Sequence, residues 1–560
     1  MTRKLRSNFE RGTFRWAVRR AQWRALGLSD ADLEKPKIAV VNSSSELAIC
    51  FSHLDGVAAE LKAAIRAAGG VPFEVRTAAP SDFITSVGHR GGYILAARDL
   101  IPNEIEVAVE GALLDGMVCL ASCDKTAPGQ LMAAARLNIP TLVVPCGYQK
   151  SGEYKGKHVD IEDVFVSSMH VLAGKLSVDD LAGMSENAIR GPGVCSGMGT
   201  ANSMHVVSEA LGMALPGSAP VAANSPKMMA DVRAAGARIV EMVWADLKPR
   251  DILTPGAFAN ATMAMLAVGG SINTMKHMQA VAIEAQLHAV SVYGLFEQLA
   301  GKVPVLSAVR PNGERTIEEF EAAGGTRAVM KRLEGMLHRD ALTATGRTLG
   351  EDLRDVKVAD DEIIRPVERP VARRPAVLVL RGNLAPEGAI VKFGIDPDKA
   401  TRFAGPAIVF ESSDQVIEAV QKGEIKAGQA VVLRGLGITG TPGMGGASRA
   451  VFVLDGAGLG DHVAVVTDGH LSGLVNKGLV IGEISPEAAA GGMLALVENG
   501  DRVSIDVEAR TVDLEVEAGE LVARRARLRP PAPSQERGWL KIYQRNVATL
   551  PHGGVLTEPK

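Results

Sequence analysis

No run of about 18 or more apolar residues occurs in this sequence, so no segment of it reads as a membrane-spanning helix. The first stretch, 1–20, is basic but is interrupted by Asn8, Glu10 and Arg11 and has no apolar centre, which argues against a secretory signal. An extended Lys/Arg tract is also missing. The 61 basic and 64 acidic residues leave a net charge of −3, which designates neither a nucleic acid nor a membrane surface as partner. Cysteine is scarce, with Cys50, Cys119, Cys123, Cys146 and Cys195 making up all 5. An odd set in the first part of a large chain argues against a disulfide framework. It favours thiols or metal ligands in a reducing cytosol, so a cytoplasmic location is expected. Internal repeats are absent, and low-complexity texture is confined to a Pro-rich stretch and the polar tail after residue 530.

What is present is an ordinary globular composition, 46% apolar and 22% charged, on a chain of 560 residues that exceeds one core. At roughly 150 residues per domain it divides into about two to four units. Residues 1–35 read as a polar helical arm at the periphery, suited to a subunit contact. Residues 36–365 read as an α/β domain: apolar runs at 37–42, 72–75, 117–121 and 141–145 alternate with helical stretches such as 53–68 and 129–137. That is the rhythm of a largely parallel sheet flanked by helices. Residues 366–375, bearing Pro366, Pro370 and Pro375, read as a linker. Residues 376–560 form a smaller C-terminal domain, in which short β-rich runs at 376–380, 407–411, 430–433, 463–467 and 503–507 predict a compact β-barrel or sandwich.

Chemistry concentrates in the turns after the apolar runs. Run 117–121 leads into Cys123-Asp124-Lys125, a thiol, a carboxylate and an amine on one strand-to-helix turn, with Pro128 predicted as the first helical residue. In an open α/β sheet such turns lie at the carboxyl ends of strands, where ligands bind. Run 37–42 delivers Asn42-Ser-Ser-Ser-Glu-Leu and then Cys50. A Gly-rich turn, Gly191-Pro-Gly-Val-Cys195-Ser-Gly-Met-Gly199, opens a helix and lets the backbone approach a bound group closely. Val268-Gly-Gly-Ser-Ile-Asn273 is a further polar turn, either ligand-facing or a plain loop between helices. Any one of these alone is a weak signal.

Together, and in this order, they carry a resemblance. Ser45-Glu-Leu-Ala-Ile-Cys50, Cys123-Asp-Lys-Thr, Cys195-Ser-Gly-Met-Gly-Thr-Ala-Asn, Glu209-Ala-Leu-Gly-Met-Ala-Leu-Pro-Gly-Ser, Arg381-Gly-Asn-Leu-Ala-Pro, Thr467-Asp-Gly-His-Leu-Ser472-Gly and Ser485-Pro-Glu-Ala-Ala are the blocks. Over nearly its whole length the chain resembles the dihydroxy-acid and sugar-acid dehydratases, the family that includes phosphogluconate dehydratase. The resemblance implies that Cys50, Cys123 and Cys195 hold an iron–sulfur cluster, 2Fe-2S in preference to 4Fe-4S, with an open iron as Lewis acid. It also implies a magnesium ion on Asp82, Asp124 and a carbamylated Lys125, and Ser472 as the base. Cys119 and Cys146 read as core thiols.

The chain departs from the family pattern at several points. Gly446 stands where the family has a magnesium carboxylate, and Leu474 follows the Ser-Gly of the base where a small polar residue is common. Ile272 replaces the usual Thr, and Cys146-Gly-Tyr-Gln149 replaces a Gly-Gly-Pro-Met stretch. Conversely, Glu483 brings a carboxylate to a segment where the family has His, making it a candidate replacement ligand for magnesium. The activity implied is a hydro-lyase converting a 2,3-dihydroxy carboxylic acid to a 2-keto-3-deoxy acid. A sugar acid is preferred as substrate over the branched-chain precursor of Ile/Val biosynthesis, and a homodimer or homotetramer is expected. A non-catalytic iron–sulfur sensor is the alternative of another class; Lys125 and Ser472 count against it, Gly446 for it.

Overall fold

Strands Lys37–Asn42 and Gly116–Ala121 are buried at every position, as the central strands of a parallel sheet covered on both faces must be. The computed structural model describes residues 4–443, 446–529 and 536–556, apart from the side chain of Arg90. In the first sheet the spatial order is Val71–Arg76, Lys37–Asn42, Gly116–Ala121, Thr141–Pro145, all parallel. Helix Leu54–Ala67 buries Leu54, Val57, Ala58, Leu61 and Ile65, an apolar stripe at helical spacing, and packs on helix Pro226–Ala245. Their crossing is close: a Cβ at Gly236 would fall 2.5 Å from Ala64 Cβ.

Helix Thr126–Leu137 starts earlier than predicted, so Pro128 is its third residue and not its first. The reason is local. Ser122 N donates to Thr126 Oγ1 at 3.2 Å and Thr126 Oγ1 donates to Cys123 O at 2.9 Å, which closes the turn before Pro128. A proline in the first turn sacrifices no intrahelical hydrogen bond. Two helices are interior, their sequences rich in small and apolar residues: Thr200–Ala210 is buried throughout, and Pro255–Val268 from Ala257 onwards. The N-terminal helices Phe14–Ala25 and Asp30–Leu33 bury no residue.

The second sheet has eight strands, ordered Thr511–Glu515, Arg502–Asp506, Arg402–Phe410, Ala430–Leu433, Ala464–Thr467, Leu479–Ser485, Gly388–Lys392, Val377–Leu380. Its middle strands run parallel and the outer pairings are antiparallel. Arg381 N donates to Arg510 O at 2.9 Å and Val512 N to Arg381 O at 2.8 Å, so the sheet curls into a nearly closed barrel. The sandwich alternative falls, because parallel strands require crossovers. Helices Ser413–Gln421 and Ser448–Gly456, both undetected in the sequence, supply them. Helix Ser448–Gly456 also packs on helix Ile161–Leu172 of the N-terminal half, with His170 Nε2 3.0 Å from Asp455 Oδ2. One continuous apolar core runs through both sheets. Among the described residues no helix is long and apolar enough to cross a membrane.

Candidate active site

Three separate turns of the N-terminal half are laced together by backbone acceptors. Ser122 Oγ donates to Cys50 O at 2.6 Å, and His205 Nε2 lies 3.0 Å from Ser122 O. Asn202 Nδ2 donates to Cys195 O at 2.8 Å and to Gly197 O at 2.7 Å. The result is a cavity of about 630 Å³ whose wall includes Cys50, Cys123, Cys195, Asp82, Asp124 and Ser472. The Cys50 and Cys123 thiols are in hydrogen-bonding contact, which together with burial holds Cys123 well above the ordinary thiol range. Burial and the neighbouring Glu162 do the same to Cys195. Among the described residues the one set of three metal-binding side chains whose ligand atoms all lie within 4.8 Å is His158, Asp160 and Asp163. The three thiols are therefore spread more widely than a single ion would hold them. Three soft donors on one cavity wall at that spread fit a polynuclear iron–sulfur cluster. Cys119 and Cys146 are wholly buried away from this wall.

Asp82, Asp124 and Lys125 form the second group. Lys125 is fully buried, with Nζ 3.1 Å from Asp82 Oδ2 and 3.6 Å from Asp124 Oδ2. Burial alone would lower the Lys125 pKa, but Asp82 and Asp124 outweigh it and raise it. Asp124 is pushed up to about 7 by burial and by the charge of Asp82. Two carboxylates crowded around one buried ammonium leave negative charge uncompensated, and their hard oxygens suit magnesium. A carbamate on Lys125 would add the oxygen ligand that a free amine lacks.

Ser472 arrives from the other sheet, on the turn after strand Ala464–Thr467. Asp468, in the same block, accepts from Gly435 N, Leu436 N and Ala488 N and so shapes the turn. Ser472 N donates to Ser448 Oγ at 2.6 Å, and Lys392 Nζ donates to Gly473 O. A Cβ at Gly473 would lie 2.6 Å from Ser271 Oγ, so the glycine is what lets this turn meet the N-terminal half. There Ser271 Oγ lies 2.8 Å from Thr200 Oγ1, which accepts from Asn273 Nδ2 at 2.9 Å. Thr200 in turn hydrogen-bonds Asp124.

Glu483 occupies a β-bulge in strand Leu479–Ser485, with a left-handed backbone at φ +56. Bulges re-aim side chains, and this one sends the carboxylate into the interior. Glu483 Oε1 accepts from Lys276 Nζ at 2.5 Å, and both side chains are fully buried. Lys276 Nζ also donates to Asn273 Oδ1 at 2.8 Å, while Glu483 Oε2 has no partner among the described residues. His470 stands between this pair and the cavity, with Nδ1 3.8 Å from Glu483 Oε1. Gly446 lies on the cavity wall with open space where a side chain would project. Sequence reasoning missed Glu162, Lys276 and Lys392. Each is a charged residue inside an otherwise ordinary helical or strand pattern, and only its complete burial marks it.

Comparison with known proteins agrees with this geometry. Residues 35–352 match the dihydroxy-acid/6-phosphogluconate dehydratase N-terminal family model, and residues 362–554 match its C-terminal counterpart. A protein of Caldicellulosiruptor saccharolyticus named dihydroxy-acid dehydratase is 41% identical over 555 residues, 99% of this chain and 100% of that protein. A protein of the same name from Pyrococcus abyssi is 41% identical over 557 residues, again 99% and 100%. One from Ignicoccus hospitalis is 40% identical over 544 residues, 97% and 98%. With both halves matched in order and the thiol, carboxylate and serine turns meeting at one cavity, the chain belongs to the dihydroxy-acid/6-phosphogluconate dehydratase family of hydro-lyases.

Proposed function

We propose that this protein dehydrates a sugar acid, a 2,3-dihydroxy carboxylic acid with further hydroxyl groups, to the 2-keto-3-deoxy acid. The observation that carries the dehydration is the meeting of Cys50, Cys123, Cys195, Asp82, Asp124 and Ser472 on one cavity wall, and the sugar-acid preference rests on the altered turns at Gln149, Ile272 and Leu474. Cys50, Cys123 and Cys195 would hold the cluster, and Asp82, Asp124 and carbamylated Lys125 the magnesium ion. Bound there, these groups supply Lewis acidity for the departing C3 hydroxyl and for the substrate carboxylate and C2 hydroxyl. Ser472 Oγ takes the C2 proton. As the C2–H bond breaks, its electron pair forms the C2–C3 double bond and the C3 hydroxyl leaves, receiving the proton held on Ser472 Oγ to become water and returning the serine to its alkoxide form. The resulting enol tautomerises to the 2-keto acid. Thr200 and Asn273 orient Asp124, and the Lys392 contact with Gly473 O fixes the height of the serine turn.

The test is anaerobic purification followed by assay of 2-keto acid formation from a panel of aldonic acids and from alkyl 2,3-dihydroxy acids. Turnover of aldonates is expected; no product from any of them overturns the reading. A second reading, the branched-chain alkyl substrate, is favoured by Ile161, Phe83 and Phe165 on the cavity wall and by the names of the relatives. We further propose a homodimer or homotetramer, supported by the exposed apolar side chains Phe14, Val18 and Leu26 of the N-terminal arm.

A further inference from the structure

Around the Cys195 turn the cavity wall carries polar groups that the reaction does not use. Glu162, the second residue of helix Ile161–Leu172, is buried and lines the cavity, yet its carboxylate has no hydrogen bond or ion pair among the described residues. It lies in a cradle made by two glycines: a Cβ at Gly197 would fall 2.5 Å from Glu162 Oε2, and one at Gly199 would fall 2.8 Å from Oε1. Gln149, whose backbone N donates to Val194 O at 2.7 Å, is also buried on the wall, and its Nε2 has no partner. Asn202 spends its amide nitrogen on Cys195 O and Gly197 O, leaving Oδ1 buried and unpartnered.

Buried polar groups are almost always hydrogen-bonded, and leaving one unpaired costs about 1–3 kcal/mol, more for a charge. Two such atoms, Gln149 Nε2 and Asn202 Oδ1, with the unpaired Glu162 carboxyl on the same stretch of cavity wall, are therefore groups awaiting a ligand. Their polarity is mixed: Gln149 Nε2 donates, Asn202 Oδ1 accepts, and the Glu162 carboxyl, held well above the usual carboxylate range by burial and by Asp160, can do either. A hydroxyl group both donates and accepts, so a chain of hydroxyls satisfies all three, while an alkyl chain satisfies none. An anionic tail is disfavoured too. Lys392 already donates to Gly473 O and burial pulls its ammonium down to about 7 against the pull of Glu162, while Arg449, which lines the cavity, is paired with Asp414 at 2.9 Å. Gln149 also stands where the resembled family carries Met, so the polar group is a departure of this chain.

We propose that Glu162, Gln149 and Asn202 form a subsite for neutral hydroxyl groups beyond C3, selecting non-phosphorylated polyhydroxy acids. The subsite rests on the sugar-acid reading above and adds the side chains that enforce it. A site built to pair substrate hydroxyls rejects an analogue lacking them far more strongly than an apolar pocket rejects a misfit.

The experiment crosses protein variants with substrate hydroxyls, using the enzyme with its cofactors bound. Wild type, Glu162→Gln and Gln149→Met are assayed on a six-carbon aldonate, its 6-phospho derivative and the analogue lacking the hydroxyls beyond C3. Iron content and visible spectrum are recorded for each variant. In wild type, kcat/KM is expected to fall ~100-fold or more on removal of the hydroxyls, and by a similar factor on phosphorylation. In each variant the penalty for removing the hydroxyls is expected to shrink at least ~10-fold, the worth of one hydrogen bond to a charged or buried group. If the aldonate turns over but the penalty is unchanged in both variants, the subsite is overturned and the sugar-acid reading stands. If wild type turns over only alkyl dihydroxy acids, that reading fails and the subsite with it. Should Glu162→Gln not fold, Gln149→Met alone decides.

Discussion

Removing Glu483 exposes the cost of the buried pair it forms with Lys276. Both side chains are fully buried, Nζ to Oε1 is 2.5 Å, and among the described residues the one other acceptor for the ammonium is Asn273 Oδ1 at 2.8 Å. Burial already pulls the Lys276 ammonium down to about 8 against the attraction of Glu483. Glu483→Met leaves that ammonium with one neutral acceptor, and Lys276→Met leaves the carboxylate with no hydrogen-bond donor among the described residues, His470 Nδ1 standing 3.8 Å away. Stranding one member of a buried pair costs about 3–5 kcal/mol, whereas replacing both by apolar groups of similar volume is often neutral. The double variant is therefore expected to be more stable than either single one, with a coupling of ~3 kcal/mol. Thermal unfolding of the three variants and wild type reads this directly, the single variants melting several degrees lower. Turnover supplies a second reading. Lys276 holds Asn273, Asn273 holds Thr200, and Thr200 hydrogen-bonds Asp124, so both single variants should lose kcat as well as stability. If the two single costs simply add, within about 0.5 kcal/mol, the pair does not act as a unit and the reasoning fails.

Cys195→Ser is expected to abolish the brown absorbance and most bound iron, because it removes one of three soft ligands; an unchanged spectrum would refute the cluster assignment. Ser472→Ala should keep iron and fold while lowering turnover by roughly three orders of magnitude or more, measured under saturating substrate. Activity within a few-fold of wild type would mean that another group takes the proton. Gly473→Ala places a Cβ 2.6 Å from Ser271 Oγ and 3.1 Å from its Cβ, so the serine turn and Ser271 must move apart. A fall in kcat with an unaltered visible spectrum is expected, and wild-type kcat would show that the turn has slack.

The reactive turns were legible in the sequence because each sits directly after an apolar run, where a glycine, a cysteine or a carboxylate stands out. The parallel N-terminal sheet was legible for the same reason: its strands are continuous apolar runs. Strands Gly388–Lys392 and Leu479–Ser485 were not, since Lys392 and Glu483 break the apolar pattern at the ends that face the site. Glu162 is hidden differently. An acidic residue in the first turn of a helix is what the helix dipole favours, so nothing local distinguishes a carboxylate facing a cavity from one facing water. Its role depends on Gly197 and Gly199, which contact it from a distant turn.

The contact between Lys392 and Gly473 O, together with the anchoring of Asp468 to three backbone amides, ties the serine to the curled sheet while the thiols sit on turns of the N-terminal half. The two halves of the chemistry thus have separate mechanical supports. Warming that loosened the curled sheet would displace the proposed base and leave the thiol cradle standing, whereas oxidation would attack the cradle and spare the serine. Inactivation by heat and by air should therefore leave different remains, a coloured but idle enzyme in the first case and a colourless one in the second.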